Sequence, residues 1–331
     1  MQQRVKQLAN WSAIGMFLIL IMGALVTKTD SGRGCGDDWP LCNGKFIPAY
    51  TISSFIEYSH RLVVGVVTLL LMATIILVFR YVKRKDAKLF VTGAVLFTII
   101  QAIMGAMAVN SPQSATILAL HFGLSLLAFA CTLLLALVFT KWGGYASPYG
   151  LEAISEKKLP LSFGNLKSTA QPVKSGSITG GFRIMVWGTA VFCYVVVYLG
   201  AFVRHSESSG GCAGWPLCNG QIIPEISGAT GIVFTHRVAA LLLFICILTL
   251  FLISKKSTDY SDRWVQGSKW TLILVLTQII SGAIVTWAIG DELLYLLTGM
   301  IHAVIIACLF GMLSYLCVLT FYYDKRDTSK I

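Results

Sequence analysis

GALVTKTDSGRGCGDDWPLCNGKFIP at 23–48 returns as GAFVRHSESSGGCAGWPLCNGQIIP at 200–224, and the rest of the chain is organised around this recurrence. Tyr58-Ser59-His60-Arg61 has Phe234-Thr235-His236-Arg237 as its counterpart, and QAIMGAMAV at 101–109 matches QIISGAIVT at 278–286. The offset is 176 or 177 residues through these matches and 181 between His121 and His302. Self-similarity at a nearly constant spacing marks a duplication, so the 331 residues read as two copies of one plan.

Around the repeated loops the chain is apolar. Hydrophobic residues make up 56% and charged residues only 12%, about half the charge of a soluble globule. The apolar residues form eight blocks, near 9–27, 58–79, 89–109, 115–140, 183–203, 231–254, 270–289 and 294–322. Each approaches the roughly 20 residues that cross hydrocarbon as a helix. Backbone groups in lipid must be satisfied within the segment, which makes the blocks helices. The expected fold is an all-α polytopic membrane protein with eight transmembrane helices in two tandem four-helix bundles. An even number of spans per half sends both halves in from the same side, so the expected relation is a pseudo-twofold about the membrane normal.

The net charge of +11 is topological. With a cytoplasmic N-terminus, the inward segments 1–10, 80–88, 141–183, 255–269 and 323–331 carry 20 of the 26 Lys and Arg residues. The outward loops carry only Lys28, Arg33, Lys45 and Arg204, while Arg61 and Arg237 sit beside histidines at apparent helix starts. This bias puts both termini in the cytoplasm and the cysteine loops outside, and it gives no reason to expect nucleic-acid binding. The first apolar block is long and lacks a small-residue cleavage site, so it reads as a retained helix. Without an Arg- and Ser-rich presequence, a bacterial plasma membrane is the expected location. The expected domains are 1–140, a linker at 141–182 rich in Gly, Ser, Pro and Lys, and 183–331.

Four of the nine cysteines lie outside apolar blocks, as Cys35 with Cys42 and Cys212 with Cys218. On the oxidising side of the membrane a disulfide across each Trp-Pro-containing turn is favoured over zinc, which wants four ligands. The spacing leaves open whether the bridges only stiffen the loops or take part in redox or substrate handling. Cys131, Cys193, Cys246, Cys308 and Cys317 read as small buried hydrophobes.

Four of the five histidines fall in apolar helices, where polar groups are costly enough to imply function. His60 and His236 open the second helix of each half, and His121 and His302 lie about two turns into the fourth. All four then occupy the outer leaflet, two per half. Two neutral imidazoles facing each other across an apolar bundle suit the axial positions of a heme iron; the competing reading is a set of hydrogen-bonded structural histidines. Arg61 and Arg237 suit either propionate pairing or interfacial anchoring. Gln101 with Gly105 and Gln278 with Gly282 stand four apart on a helix face and read as packing positions. His205 has no histidine partner in the repeat and reads as a loop residue. The repeat breaks at Glu57, one turn outward of His60 on the same face, where the second half has Val233. A carboxyl group withdrawn from water can serve in proton transfer, so the break predicts one reactive half and one passive half.

With these residues in place, the two WPLCNG loops, EYSHR at 57–61, THR at 235–237 and the later histidines, the chain closely resembles the heme A synthases of the bacterial type with two cysteine pairs. The likeness covers nearly all of 11–322. It implies that the first half takes heme O and oxidises a ring methyl to the formyl group of heme A, through successive hydroxylations and loss of water, for terminal oxidase heme biogenesis. It implies catalytic roles for Glu57, His60 and His121, with His60 and His121 flanking the substrate heme iron. It implies a resident heme b in the second half, held by His236 and His302 beside Arg61's counterpart Arg237, and a disulfide Cys35–Cys42 that matters for substrate handling. A heme O synthase and an electron donor are the implied partners. Two rival readings remain at this level: a b-type electron-transfer protein with two hemes and no porphyrin chemistry, and a transporter, which the repeat encourages but for which the helices offer no buried charges beyond the His-Arg pairs and no clearly broken helix.

Overall fold

The computed structural model describes residues 2–37, 41–46, 51–110, 114–140, 179–256 and 262–324. Most of the expected linker, at 141–178, lies outside these residues, as do Asp38, Trp39 and Pro40 of the first cysteine loop. The long helices are α1 (Gln2–Lys28), α2 (Ile52–Tyr81), α3 (Lys85–Asn110), α4 (Ala115–Val138), α5 (Gly180–His205), α6 (Gly228–Lys256), α7 (Asp262–Trp287) and α8 (Glu292–Asp324). All eight are long and apolar enough to cross a membrane, and the chain is a multi-pass membrane protein. A short 3₁₀ turn at Ser208–Gly211 follows α5.

Several helices run past their apolar blocks, and this relocates part of the site. Thr51 caps α2, its hydroxyl accepting from the Ser54 amide at 3.2 Å, so the helix begins two turns before His60. α6 likewise begins at Gly228, two turns before His236. These histidines therefore sit inside their helices and do not open them, because polar first turns carry the helix outward beyond the hydrocarbon. α5 starts at Gly180, within the stretch read as linker, and it ends on His205, which is helical and not in a loop.

Within each half the helices close into a ring, α1–α2–α3–α4–α1 and α5–α6–α7–α8–α5. Between halves, α4 meets α5 and α8, and α8 meets α1. Exchanging the halves maps α4–α5 onto α8–α1 and α4–α8 onto itself. α4 and α8 are accordingly the most enclosed spans, 50% and 61% buried against 22% for α2 and for α7. One continuous apolar core runs through both rings, from Val5 and Met16 on α1 to Leu313 and Leu319 on α8. The outer faces of the peripheral helices are apolar as well, with Leu69, Leu89, Ile184 and Leu241 all exposed, the pattern expected where lipid is the solvent.

In lipid, helices associate through close packing and polar contacts, without a hydrophobic drive between them. Buried hydroxyl pairs join neighbours here: Ser12 with Thr74 at 3.0 Å between α1 and α2, and Ser254 with Ser268 at 2.6 Å between α6 and α7. At the outer end of the seam Arg204 on α5 donates to the Thr27 carbonyl and to Asp30, each at 2.9 Å. Lys28 lies over the Tyr295 ring, 4.4 Å from its centroid. It fits against α8 because Gly299 has no side chain: a Cβ there would come within 2.7 Å of the Lys28 Nζ. Of the five remaining cysteines, Cys193 and Cys317 are buried and Cys131 and Cys246 partly so, but Cys308 is exposed on its helix, contrary to the expectation of burial.

Candidate functional site

Each half builds the same kind of cap over one end of its helices. After α1 the chain turns back through a loop closed by the Cys35–Cys42 disulfide, and after α5 by the Cys212–Cys218 disulfide. Asn-Gly follows the second cysteine in both, with positive φ at Asn43 and Gly44 and at Asn219 and Gly220. Those two residues tolerate the left-handed conformation of a tight reversal, which brings Cys42 back onto Lys45 and Cys218 onto Gln221. The loops then press on the following helix. A Cβ on Gly34 would lie 2.4 Å from the Ser53 backbone, and one on Gly211 2.4 Å from that of Ala229. The Asn43 and Asn219 amides donate to the carbonyls of Gly34 and Gly211 at 3.3 and 3.2 Å.

Below these caps the four imidazoles point into the rings. His60 and His121 lie within electrostatic reach of each other, as do His236 and His302. Each ring rests on a glycine of the neighbouring helix. A Cβ on Gly23 would come 3.4 Å from His60 Cε1, one on Gly105 3.3 Å from His121, one on Gly200 2.8 Å from His236 and one on Gly282 3.3 Å from His302. Gly105 and Gly282, read from sequence as packing positions, are thus packed against the histidines themselves. Nδ1 of His60, His121 and His236 is buried without a hydrogen-bond partner among the described residues. Buried polar atoms left unpaired usually have a functional reason. His302 differs, with Gln278 Nε2 2.9 Å from its Nε2 and Ser281 Oγ 2.8 Å from its Nδ1. Among the described residues no group of three or more His, Cys, Asp or Glu side chains is placed to hold a bare metal ion. Pairs of imidazoles across an apolar interior fit a porphyrin iron, whose ring supplies the other four nitrogens.

The halves part at Glu57, which is 4% exposed. Its Oε2 accepts the Cys35 backbone N–H at 2.8 Å, and its Oε1 pairs with Arg61. Arg61 also donates to the Leu41 carbonyl at 2.8 Å. The carboxylate therefore ties the disulfide loop to the helix that carries His60. In the second half Val233 replaces the acid, and Arg237 donates to three neutral acceptors: the Leu217 and Cys212 carbonyls at 3.2 and 3.4 Å, and the Thr286 hydroxyl at 3.4 Å. The guanidinium charge is matched in the first half and meets no carboxylate among the described residues in the second.

Three features of the site escaped the reading by composition and motif. The Leu41 and Leu217 carbonyls hold the two arginines in the same way. Ser281 contacts His302, and the repeat would have exposed it by setting Ser281 against Met104. Lys28 and His205 are repeat counterparts, and they cross the seam in opposite directions: Lys28 lies within electrostatic reach of His302, and His205 of His121.

The chain matches the family model described as cytochrome oxidase assembly protein over residues 6–54, 49–163 and 183–230. It is 38% identical over 319 residues to a heme A synthase of Symbiobacterium thermophilum, covering 96% of this chain and 95% of that protein. It is 37% identical over 323 residues to the heme A synthase of Alkalihalophilus pseudofirmus, at 96% and 98% coverage. The heme A synthase of an Exiguobacterium species is 36% identical over 334 residues, at 100% and 96% coverage.

Proposed function

This chain belongs to the cytochrome oxidase assembly protein family and, within it, to the heme A synthases, and from that premise we propose how its residues divide the work. The first half binds heme O between His60 and His121 and oxidises one ring methyl to the formyl group of heme A, by successive hydroxylations of that carbon and loss of water. Glu57, one turn outward of His60, handles protons at this site. The second half holds a resident heme b on His236 and His302, which when bound supplies one-electron relay chemistry. The work is done in the outer half of a bacterial plasma membrane, with both termini cytoplasmic, the cysteine loops outside and the halves related by a pseudo-twofold along the membrane normal. A heme O synthase supplies the substrate and a separate donor supplies electrons.

The observation that carries this division is the pairing of matched histidines with unmatched electrostatics. A heme brings two propionate carboxylates. The uncompensated Arg237 suits a permanently held dianion through charge-assisted bonds. Arg61, already paired with Glu57, holds its heme less firmly, which suits a substrate that must enter and leave. The disulfide Cys35–Cys42 holds the amide that anchors Glu57, so the loop acts on substrate handling through the acid.

Co-expression with a source of heme O, followed by extraction and chromatography of the hemes, tests the activity. Heme A should accumulate under aerobic conditions with a reductant present; its absence sinks the synthase reading. A further outcome follows from the glycine cradles. Gly200→Ala should weaken heme b binding in the second half, because the new methyl group would stand 2.8 Å from His236 Cε1. It should do so even though alanine favours an exposed helix by up to about 1 kcal/mol. Gly188→Ala on the same helix has no atom within 4 Å of the added carbon and should leave heme content unchanged. Equal heme content in both variants, measured per protein by absorbance, would remove the cradle from the account.

A further inference from the structure

We propose that Ser281 is the positioning residue that makes His302 a tightly held axial ligand, and that its absence from the first half keeps the ligand there exchangeable; this rests on the reading of the second half as a heme b site. Ser281 is 6% exposed and stands on α7 one turn from Gln278. Its hydroxyl donates to the Gln278 carbonyl at 2.9 Å. A hydroxyl has one proton, so the 2.8 Å contact with His302 Nδ1 has the ring N–H donating to the serine oxygen. The Gln278 side chain agrees with this, its amide nitrogen lying 2.9 Å from His302 Nε2, where a donor meets the remaining lone pair. Both contacts put the single ring proton on Nδ1 and a lone pair on Nε2.

That is the protonation state an iron ligand requires. When the second ring nitrogen donates to a fixed acceptor, the ring is held in one tautomer and one orientation and the ligating nitrogen becomes more basic. The more basic ligand favours ferric iron and lowers the potential of the heme it holds.

The first half repeats everything except the hydroxyl. Gln101 aligns with Gln278 and Gly105 with Gly282, and a Cβ on either glycine would stand 3.3 Å from its histidine's Cε1. The position of Ser281 is taken by Met104. Around the His121 ring stand the Gln101 backbone and Gly105, and among the described residues no side-chain hydroxyl bonds its Nδ1 as Ser281 bonds that of His302. A thioether cannot relay between that carbonyl and the imidazole as the serine does. The difference separates a site that keeps its porphyrin from one that releases it as product.

The test uses the full-length protein purified with its hemes. S281A should release heme b to an excess of an apo-globin acceptor about 10–100-fold faster, and should raise the midpoint potential of the heme that remains. S281T, which keeps the hydroxyl, should restore both. M104S should slow heme release from the first half and leave the second untouched, and it can be read even if S281A fails to accumulate. Unchanged potential and release in S281A, or unchanged first-half release in M104S, overturns the role of Ser281. If wild-type protein carries no heme b, or if H302A keeps its spectrum, the second-half reading fails first and the proposal with it.

Discussion

Glu57→Gln should cut heme A formation by about two to four orders of magnitude, the range lost when a positioned acid-base group is removed, while the heme b spectrum persists. The amide oxygen of glutamine can still accept the Cys35 N–H that Glu57 Oε2 now takes at 2.8 Å, so the disulfide loop stays on α2. What is lost is a group that can take up and give back a proton beside His60. The substitution also breaks the ion pair with Arg61, whose side chains are only 15% and 5% exposed. Losing a buried ion pair is destabilising, so a lower melting temperature is expected in parallel. The double variant Glu57→Gln/Arg61→Gln separates the two effects. It should recover much of the stability and none of the heme A. Wild-type heme A output from Glu57→Gln protein would end the assignment of chemistry to this acid.

His236→Ala and His302→Ala should each strip heme b from the second half, with essentially complete loss of its absorbance band in purified protein. In the proposed division each imidazole is one of the two side chains that would hold that heme's iron. Heme O should still bind between His60 and His121, since α1 to α4 close the first ring without either residue. Heme A formation should fall with the heme b. Retention of the heme b spectrum in both variants would overturn the placement of the resident heme, and loss from the first half instead would reverse the two roles.

Much of this was legible in the sequence because the duplication supplied its own alignment. The eight spans followed from block length alone, and the facing of Glu57 and His60 followed from helical periodicity. Helix ends were not legible from hydropathy, since Ile52-Ser53-Ser54 and Gly228-Ala229-Thr230 are helical yet lie outside the apolar blocks. That is why His60 and His236 looked like first residues when they are two turns in. By sequence Arg61 suits propionate pairing or interfacial anchoring, whereas in the structure it pairs with Glu57, four residues back on its own helix. Ser281 carried no signal on its own, since a lone serine in an apolar helix usually bonds its own backbone; only its contact with His302 across helices sets it apart. His205 was set aside for want of a histidine counterpart, although its counterpart by position is Lys28.

The seam at the outer surface also bears on how the protein is made. The Thr27 carbonyl at the end of α1 receives Arg204, and Lys28 comes to rest in the gap left by Gly299. A ribosome delivers these partners in the order 27, 28, 204, 299, so the first half leaves the insertion machinery with this end of α1 unfinished. It is completed only when the last helix arrives. A product truncated after α4 would therefore present four helices and two histidines with that end of α1 unpacked.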